Sequence, residues 1–261
     1  MVLSSTAVST VDHSSAVSPA NSLSSKDRTG VVQFGTRLVE IAALRQDGSR
    51  FIEQMKVPAL PLFESAFSAF AHGTLLQTEA GEMAIEDIQP GDRLWTSAGT
   101  AATVMWIGCS QFRLSDSGPS NTPLVRIMSD TFGEGRPDSF LTLGPSARIL
   151  QTPAHLRAES SGQVVMASVQ EFIDGVNVIE VTPPTSVPLF HLVLDRHASI
   201  RAGNLECETF HPGNQNLRAV SHSLRDLFIS MFPHISHPSD FGPLAHPRAA
   251  ENLDLSAAQV M

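Results

Sequence analysis

The chain has 261 residues, which is enough for one or two domains with a hydrophobic core, and its 42% hydrophobic and 16% charged content is typical of a globular protein. A formal net charge of −9 argues against nucleic-acid binding, because such proteins need a basic face. Two cysteines allow at most one disulfide, which excludes a disulfide-stabilised scaffold.

Residues 1–30 are rich in serine and poor in large apolar side chains, and we predict a flexible tail there. They lack the charged start and continuous apolar run of a signal peptide. The most apolar stretch, residues 57–71, is too short and too interrupted by proline to span a bilayer. We therefore expect a soluble protein and favour a cytoplasmic location.

Residues 31–68 predict a small β appendage followed by a lead-in strand. Asp47-Gly48 lies between two apolar segments, which is a hairpin signal. The first segment, 38–44, alternates as a strand does but also fits a short helix. Pro58 and Pro61 predict an extended backbone over residues 57–68.

Residues 69–213 alternate short apolar segments with turn sequences, the pattern of an all-β domain. Gln89-Pro90-Gly91-Asp92 and Ala202-Gly203-Asn204 are examples of such turns. The spacing of Met83, Ile85 and Ile88 fits either a short helical turn or a bent strand. We expect a loop over 109–123 and one helical turn over 169–173.

Residues 214–261 predict a C-terminal helical extension. Apolar residues at 224, 227, 228 and 231 share one helix face, Ser221 or Ser223 can cap the helix, and Pro233 ends it. A second short helix is predicted over 253–260.

Spaced residues in the segment 69–108 carry a family resemblance: Gly73-Thr74, Gly91-Asp92 and Trp106-Ile107-Gly108. This pattern resembles the opening of the Hint domain, the hedgehog/intein autoprocessing module, in its bacterial stand-alone form. The late strand 190–197 continues the resemblance. It implies an all-β, Hint-like horseshoe of short strands over 69–213, with the C-terminal helical extension over 214–261.

The resemblance also implies a reaction, which needs side chains that this sequence lacks. In the family, a Cys, Ser or Thr attacks the carbonyl before it in an N–S or N–O acyl shift, and the histidine of a Thr-x-x-His motif protonates the leaving nitrogen. The matching positions here are Ala69, Gly144 and Ala147. The acyl shift cannot start at an alanine, so we predict a degenerate autoprocessing module acting as a binding or structural scaffold.

Other side chains are candidates for a site. By resemblance, Asp195 and His197 would line a vestigial site, although an Asp195–Arg196 surface arrangement and a core His197 fit as well. The alternative is an active self-cleaving protease in which Ser68 is the nucleophile and His155, in Thr152-x-x-His155, is the acid. A third interpretation is an unrelated hydrolase site around Asp195 and His197.

The sequence predicts no cofactor and no metal site. His234-x-x-His237, with His246 beyond, has loose ligand spacing in a proline-rich stretch without a cysteine pair. A phosphate-binding loop and a Gly-x-Ser-x-Gly elbow are both missing from the sequence. Cys207 and Glu208 stand where inteins have His-Asn, which argues against splicing. A protein partner is compatible with the sequence, which does not name one.

Overall fold

A computed structural model of the protein describes residues 35–45, 47–113, 122–158 and 162–249. The tail predicted over 1–30 and the helix predicted over 253–260 lie outside these ranges, as does most of the predicted loop 109–123. Within the described residues the fold is all-β, with a few short helices.

Fifteen strands of the described chain form one open sheet in which the pairings between strands are antiparallel. The first seven are β1 Thr36–Leu44, β2 Arg50–Pro58, β3 Phe70–Ala71, β4 Leu75–Thr78, β5 Gly81–Ala84, β6 Arg93–Trp95 and β7 Ala101–Phe112. The others are β8 Leu124–Ile127, β9 Leu141–Leu143, β10 Arg148–Leu150, β11 Met166–Ser168, β12 Val178–Val181, β13 Val187–Leu194, β14 Ser199–Ala202 and β15 Leu205–Glu208.

The helices are short. The α-helices of the described residues are α1 Pro61–Glu64, α2 Asn214–Ala219 and α3 His222–Ser230. Single turns of 3-10 helix cover Ser65–Phe67, Ile85–Asp87, Ala154–Leu156, Val169–Phe172 and Pro238–Phe241. In the described residues no helix has the length and apolar character needed to cross a membrane.

The hairpin predicted around Asp47-Gly48 is present. β1 and β2 pair antiparallel with Leu44 opposite Arg50, and Gly48 takes a φ of 81° in the turn between them. Positive φ favours glycine, which has no Cβ to clash. The alternative of a helix over 38–44 is therefore wrong. β1 also pairs with β7, which joins the hairpin to the main sheet.

The extended backbone predicted as far as residue 68 is wrong from Pro61 onward, whereas Leu60 before it is extended. Pro61 opens α1, and the 3-10 turn Ser65–Phe67 follows directly. A proline at the first position of a helix costs nothing, because the N–H it lacks would have no partner inside the helix. The fixed φ of Pro61, which suggested an extended chain, also fits the first turn of a helix.

β7 is the central strand of the sheet, and it is longer than predicted. It continues to Phe112, past the expected loop start at Cys109, because β13 pairs with it along nearly its whole length. Its first residues pair with β6 and its later ones with β1. The predicted helical turn over 169–173 and the hairpin at Gly203-Asn204 are both present.

The helical extension joins the sheet through an aromatic cluster. Ser221 caps α3 by accepting the Leu224 N–H, as predicted. Trp106 of β7 is fully buried and donates its indole N–H to the Met231 carbonyl at 2.7 Å. Phe210 and Phe232 stack with their ring centroids 5.7 Å apart. These contacts give the extension and the β domain a shared core.

Candidate functional site

The position expected for the nucleophile is a buried alanine inside regular backbone pairing. Ala69 is 1% exposed, its N–H donates to the Phe190 carbonyl at 3.0 Å, and its carbonyl accepts the Gly144 N–H at 2.8 Å. Ala147 is also buried and belongs to the same core cluster. The fold therefore brings the two expected catalytic positions into one region, and both carry only a methyl group.

The turn at 144–147 lies directly against the peptide that joins Ser68 to Ala69. The Ser146 N–H donates to the Ser68 carbonyl at 3.1 Å. A Cβ on residue 144 would overlap the Ser68 carbonyl oxygen and lie 2.8 Å from its carbon. Packing thus favours glycine at the position where the family motif has a threonine or serine. A side chain on residue 144 would collide with the carbonyl that the family reaction would attack.

Ser68 is buried and its hydroxyl is already bonded. Its Oγ donates to the Glu64 carbonyl at 2.8 Å and lies 3.1 Å from Ser146 Oγ. His155, proposed as its acid, is 63% exposed on a 3-10 turn, with Nε2 3.6 Å from Glu171 Oε2. Among the described residues, no histidine nitrogen is hydrogen-bonded to Ser68, so the structure shows no assembled Ser–His pair.

Asp195 and His197 have different surroundings although they are close in sequence. Asp195 Oδ2 accepts the Thr103 N–H at 3.1 Å, and Oδ1 lies 3.3 Å from Arg196 Nη1. The His197 side chain is 1% exposed, and its Nδ1 accepts the Ala245 N–H at 2.8 Å. The Asp195 carboxylate therefore bonds to the backbone of β7, whereas the His197 side chain is buried.

A buried group of charges behind His197 was not predicted from the sequence. Glu208 Oε1 accepts from Arg248 Nε at 2.9 Å, and its Oε2 lies 3.7 Å from Arg148 Nη1. His197 Nε2 lies 3.4 Å from Glu208 Oε1 but forms no hydrogen bond. We call Glu208, Arg148, Arg248 and His197 the charge cluster. Strand 205–208 reads Leu-Glu-Cys-Glu, so the sequence alone does not distinguish the buried Glu208 from the half-buried Glu206.

Arg248 reaches the cluster from the last described segment of the chain, residues 242–249. This segment is fixed by several bonds to the β domain. His211 Nε2 donates to the Gly242 carbonyl at 3.0 Å, and the Met166 N–H donates to the Pro247 carbonyl at 2.8 Å. Arg248 Nη2 donates to the His211 carbonyl at 2.8 Å. The segment therefore holds the Arg248 guanidinium against Glu208 and the His211 carbonyl.

Burial and the charge cluster together shift the pKa values of this region. Burial would raise the pKa of Glu208, but contacts with His197 and Arg248 outweigh it and lower the pKa to about 2. Burial lowers the pKa of His191 to about 3 and that of His211 to about 4. At neutral pH, Glu208 is therefore a carboxylate, while His191 and His211 are uncharged.

A cleft of about 480 Å³ opens between the segment before Ala69, helix α2 and the charge cluster. Its lining includes Leu60, Leu62, Ser68, Ala219 and Val220. Ser146, Arg148, His191, Glu208, Phe210 and Arg248 also line it. Of the four predicted site residues, only Ser68 lines this cleft.

His234, His237 and His246 do not form a group that could hold a metal ion. His234 has both ring nitrogens buried without a hydrogen-bond partner, whereas His237 Nδ1 lies 2.8 Å from Ser239 Oγ. His246 Nε2 lies 3.2 Å from Ser199 Oγ. Across the part of the chain that the structure describes, no group of three or more His, Cys, Asp and Glu could hold a metal ion.

Several solved structures are similar to part of the chain. No curated protein matches the chain. Among solved structures, a bacterial intein-like domain from Clostridium thermocellum is similar, with 12% identity and a TM-score of 0.39, covering 55% of this chain and 99% of that one. The MchDnaB-1 intein has 17% identity and a TM-score of 0.33, covering 54% and 100%. A DnaB intein from Synechocystis sp. has 11% identity and a TM-score of 0.34, covering 55% and 99%.

The family comparison supplies the assignment. The Hint domain family matches residues 68–214, which is more than half of the chain. The match begins at Ser68, beside the buried Ala69, and ends after the strand that carries Glu208. The chain therefore belongs to the Hint domain family.

Proposed function

We propose that this Hint domain does not cleave itself and acts as a binding or structural scaffold. The carrying observation is the peptide between Ser68 and Ala69. It has no thiol or hydroxyl on residue 69 and no imidazole on residue 147, and its carbonyl leaves no room for a side chain on residue 144. Nucleophilic catalysis needs an attacking atom, and general-acid catalysis needs a group that titrates near neutrality. Neither is present at the matching positions.

The cleft beside Ser68 supports a binding role rather than an inert remnant. Concave sites of about 300–1,000 Å³ with apolar walls and a few polar groups are where small ligands usually bind. This cleft falls in that range at about 480 Å³, and its lining combines Leu60, Leu62 and Val220 with charged side chains. A cavity beside a peptide that lacks the catalytic side chains fits a module that holds a ligand or a peptide.

The intact mass of the purified full chain tests the proposal. We expect a single mass after incubation at pH values from about 5 to 9, with and without a thiol or hydroxylamine to trap an ester. A fragment pair split before Ser68 or before Ala69 would overturn the proposal. The variant Ser68→Ala is the matched control, because cleavage that disappears in it identifies Ser68 as the nucleophile.

A further inference from the structure

We propose that the cleft beside Ser68 binds a short, uncharged peptide with apolar side chains, and that the His191 ring donates a hydrogen bond to one of its backbone carbonyls. The inference rests on the proposed function, since it treats this cleft as a binding site. It adds the chemical class of the ligand and the side chain that recognises it.

The His191 ring presents one N–H group to the cleft. The residue lines the cleft although it is only 4% exposed. Its Nδ1 accepts the Leu192 N–H at 3.1 Å, so the uncharged ring carries its proton on Nε2. Within the described residues Nε2 has no hydrogen-bond partner, and it is not sealed off in the core. A ligand carbonyl in the cleft would supply the acceptor that this donor lacks.

Aromatic neighbours hold the His191 ring in place. Phe70 and Phe210 meet it edge to face, with ring centroids 5.8 Å and 5.3 Å away. His211 also lines the cleft, but its Nδ1 accepts the Gly213 N–H and its Nε2 donates to a backbone carbonyl. Of these two histidines, His191 is therefore the one with a donor left for a ligand. A donor held in position before binding loses little freedom when the ligand arrives.

Other polar groups of the lining can accept hydrogen bonds. Ser65 and Ser68 each donate their hydroxyl proton to a backbone carbonyl of α1 at 2.8 Å, which leaves lone pairs on the oxygens. Asn216 donates from Nδ2 to the Pro212 carbonyl at 2.9 Å, which leaves its Oδ1 as an acceptor. All three side chains line the cleft. A peptide group carries one acceptor and one donor, which matches a lining that offers both.

The acidic side chains of the lining already have partners, which favours an uncharged ligand. Glu208 lies within ion-pair distance of both Arg148 and Arg248, and Glu64 pairs with Arg37 at 3.1 Å. A charged ligand would have to compete with these contacts. A neutral peptide would leave them intact.

Apolar residues of the lining select the side chains of the peptide. Leu60, Leu62 and Val220 line the same cleft as His191. Burial of apolar surface against them is favourable, so leucine-like side chains should bind better than glycine.

Titration of the full chain with acetyl-leucyl-leucine N-methylamide at pH 7, followed by NMR, tests the inference. The diglycine analogue lacks the apolar side chains, an analogue with an ester in place of the central amide lacks one N–H, and the free acid adds a negative charge. We expect saturable binding of the leucine amide and weaker binding of all three controls. The ¹⁵N shifts of His191 should show the ring proton on Nε2, and the Nε2 shift should move as peptide is added.

Two variants locate the binding. His191→Phe keeps an aromatic ring between its neighbours but removes the donor, and it should weaken binding roughly 2- to 12-fold, as expected for one hydrogen bond. His222→Phe, at a side chain that is 85% exposed, is the matched control and should bind as the unmodified chain does. Val220→Trp should fill the cleft and abolish binding with His191 unchanged, which keeps the test decisive if His191→Phe does not fold.

Several results would overturn the inference: no binding of the leucine amide, tighter binding of the free acid, a ring proton on Nδ1, or binding that persists undiminished in both variants. A single intact mass in a sample that binds no peptide would overturn this inference alone and leave the absence of self-cleavage standing. A fragment pair would overturn the proposed function itself.

Discussion

Arg248 Nε and Glu208 Oε1 form an ion pair of 2.9 Å between side chains that are each only 4% exposed. The partners are far apart in the sequence, so the pair closes the last described segment onto the β domain. A buried pair contributes little net stability compared with apolar packing, but removal of one partner strands the other charge in a low-dielectric interior.

Arg248→Met should therefore destabilise the protein by about 3 to 5 kcal/mol, measured by urea unfolding. The double variant Glu208→Leu with Arg248→Met should recover part of this loss, because the buried carboxylate is removed together with its buried partner, while Arg148, which also pairs with Glu208, is partly exposed to water. Arg218→Met, at an exposed position of α2, is the control and should change little. Equal destabilisation in the single and double variants would contradict the role assigned to the pair.

Stability should fall on acidification, beginning near pH 6.5. His191 and His211 have folded pKa values of about 3 and 4, below the ordinary value of 6.5, so the unfolded chain binds protons first as the pH drops. The depressed pKa of Glu208, about 2 against 4.5, acts in the same direction below about pH 4.5. Urea midpoints from pH 8 to pH 3 should be flat above about 7 and fall steadily below it. A midpoint that rises on acidification would show that these groups are not buried as described.

Gly144→Ala should destabilise the fold although it adds only one methyl group. The new Cβ would overlap the Ser68 carbonyl, which is backbone and cannot rotate away. Overpacking of this kind costs about 1 to 3 kcal/mol. Gly35→Ala is the matched control, because its Cβ would lie 3.6 Å from Ala59 Cβ, an ordinary contact. Thermal unfolding that is unchanged in Gly144→Ala would mean that the turn can yield.

His234→Phe should stabilise the protein by about 1 kcal/mol at neutral pH, since both ring nitrogens are buried without a hydrogen bond. The variant should also flatten the acid limb of the stability profile, because burial lowers the pKa of His234 to about 4. His222→Phe, at a side chain that is 85% exposed, is the control and should do neither. Urea unfolding at pH 7 and pH 5 distinguishes the two variants.

The two cysteines should resist alkylation in the native state. Burial, with help from Glu40, raises the pKa of Cys109 to about 11, and burial together with Glu206 raises that of Cys207 to about 12. The thiolate is the reactive form, so both should react slowly with iodoacetamide at pH 8 and rapidly in urea. Fast native labelling of Cys207, followed by mass spectrometry, would contradict its buried position in β15.

Sequence signals that act over a few residues predicted a turn and a helix cap correctly. Features that depend on pairing between distant parts of the chain were missed. Asp47-Gly48 and the Ser221 cap act over a few residues, and both features are present. The length of β7 depends on β13, a partner far along the chain, so the loop expected at Cys109 does not begin there. The charge cluster was missed for the same reason, because Arg248 lies in a proline-rich segment that gives no sign of reaching Glu208.

The hydrogen bond from Trp106 to Met231 limits how far the chain can be truncated on its C-terminal side. The family match stops at residue 214, while Phe228, Met231 and Phe232 on the far side of that border complete the packing around the indole. A recombinant fragment limited to residues 68–214 would lack the carbonyl that accepts the Trp106 indole N–H. It would also lack Phe232, so that Phe210 would lose its stacking partner. The segment that the family matches is thus shorter than the segment whose residues share one core.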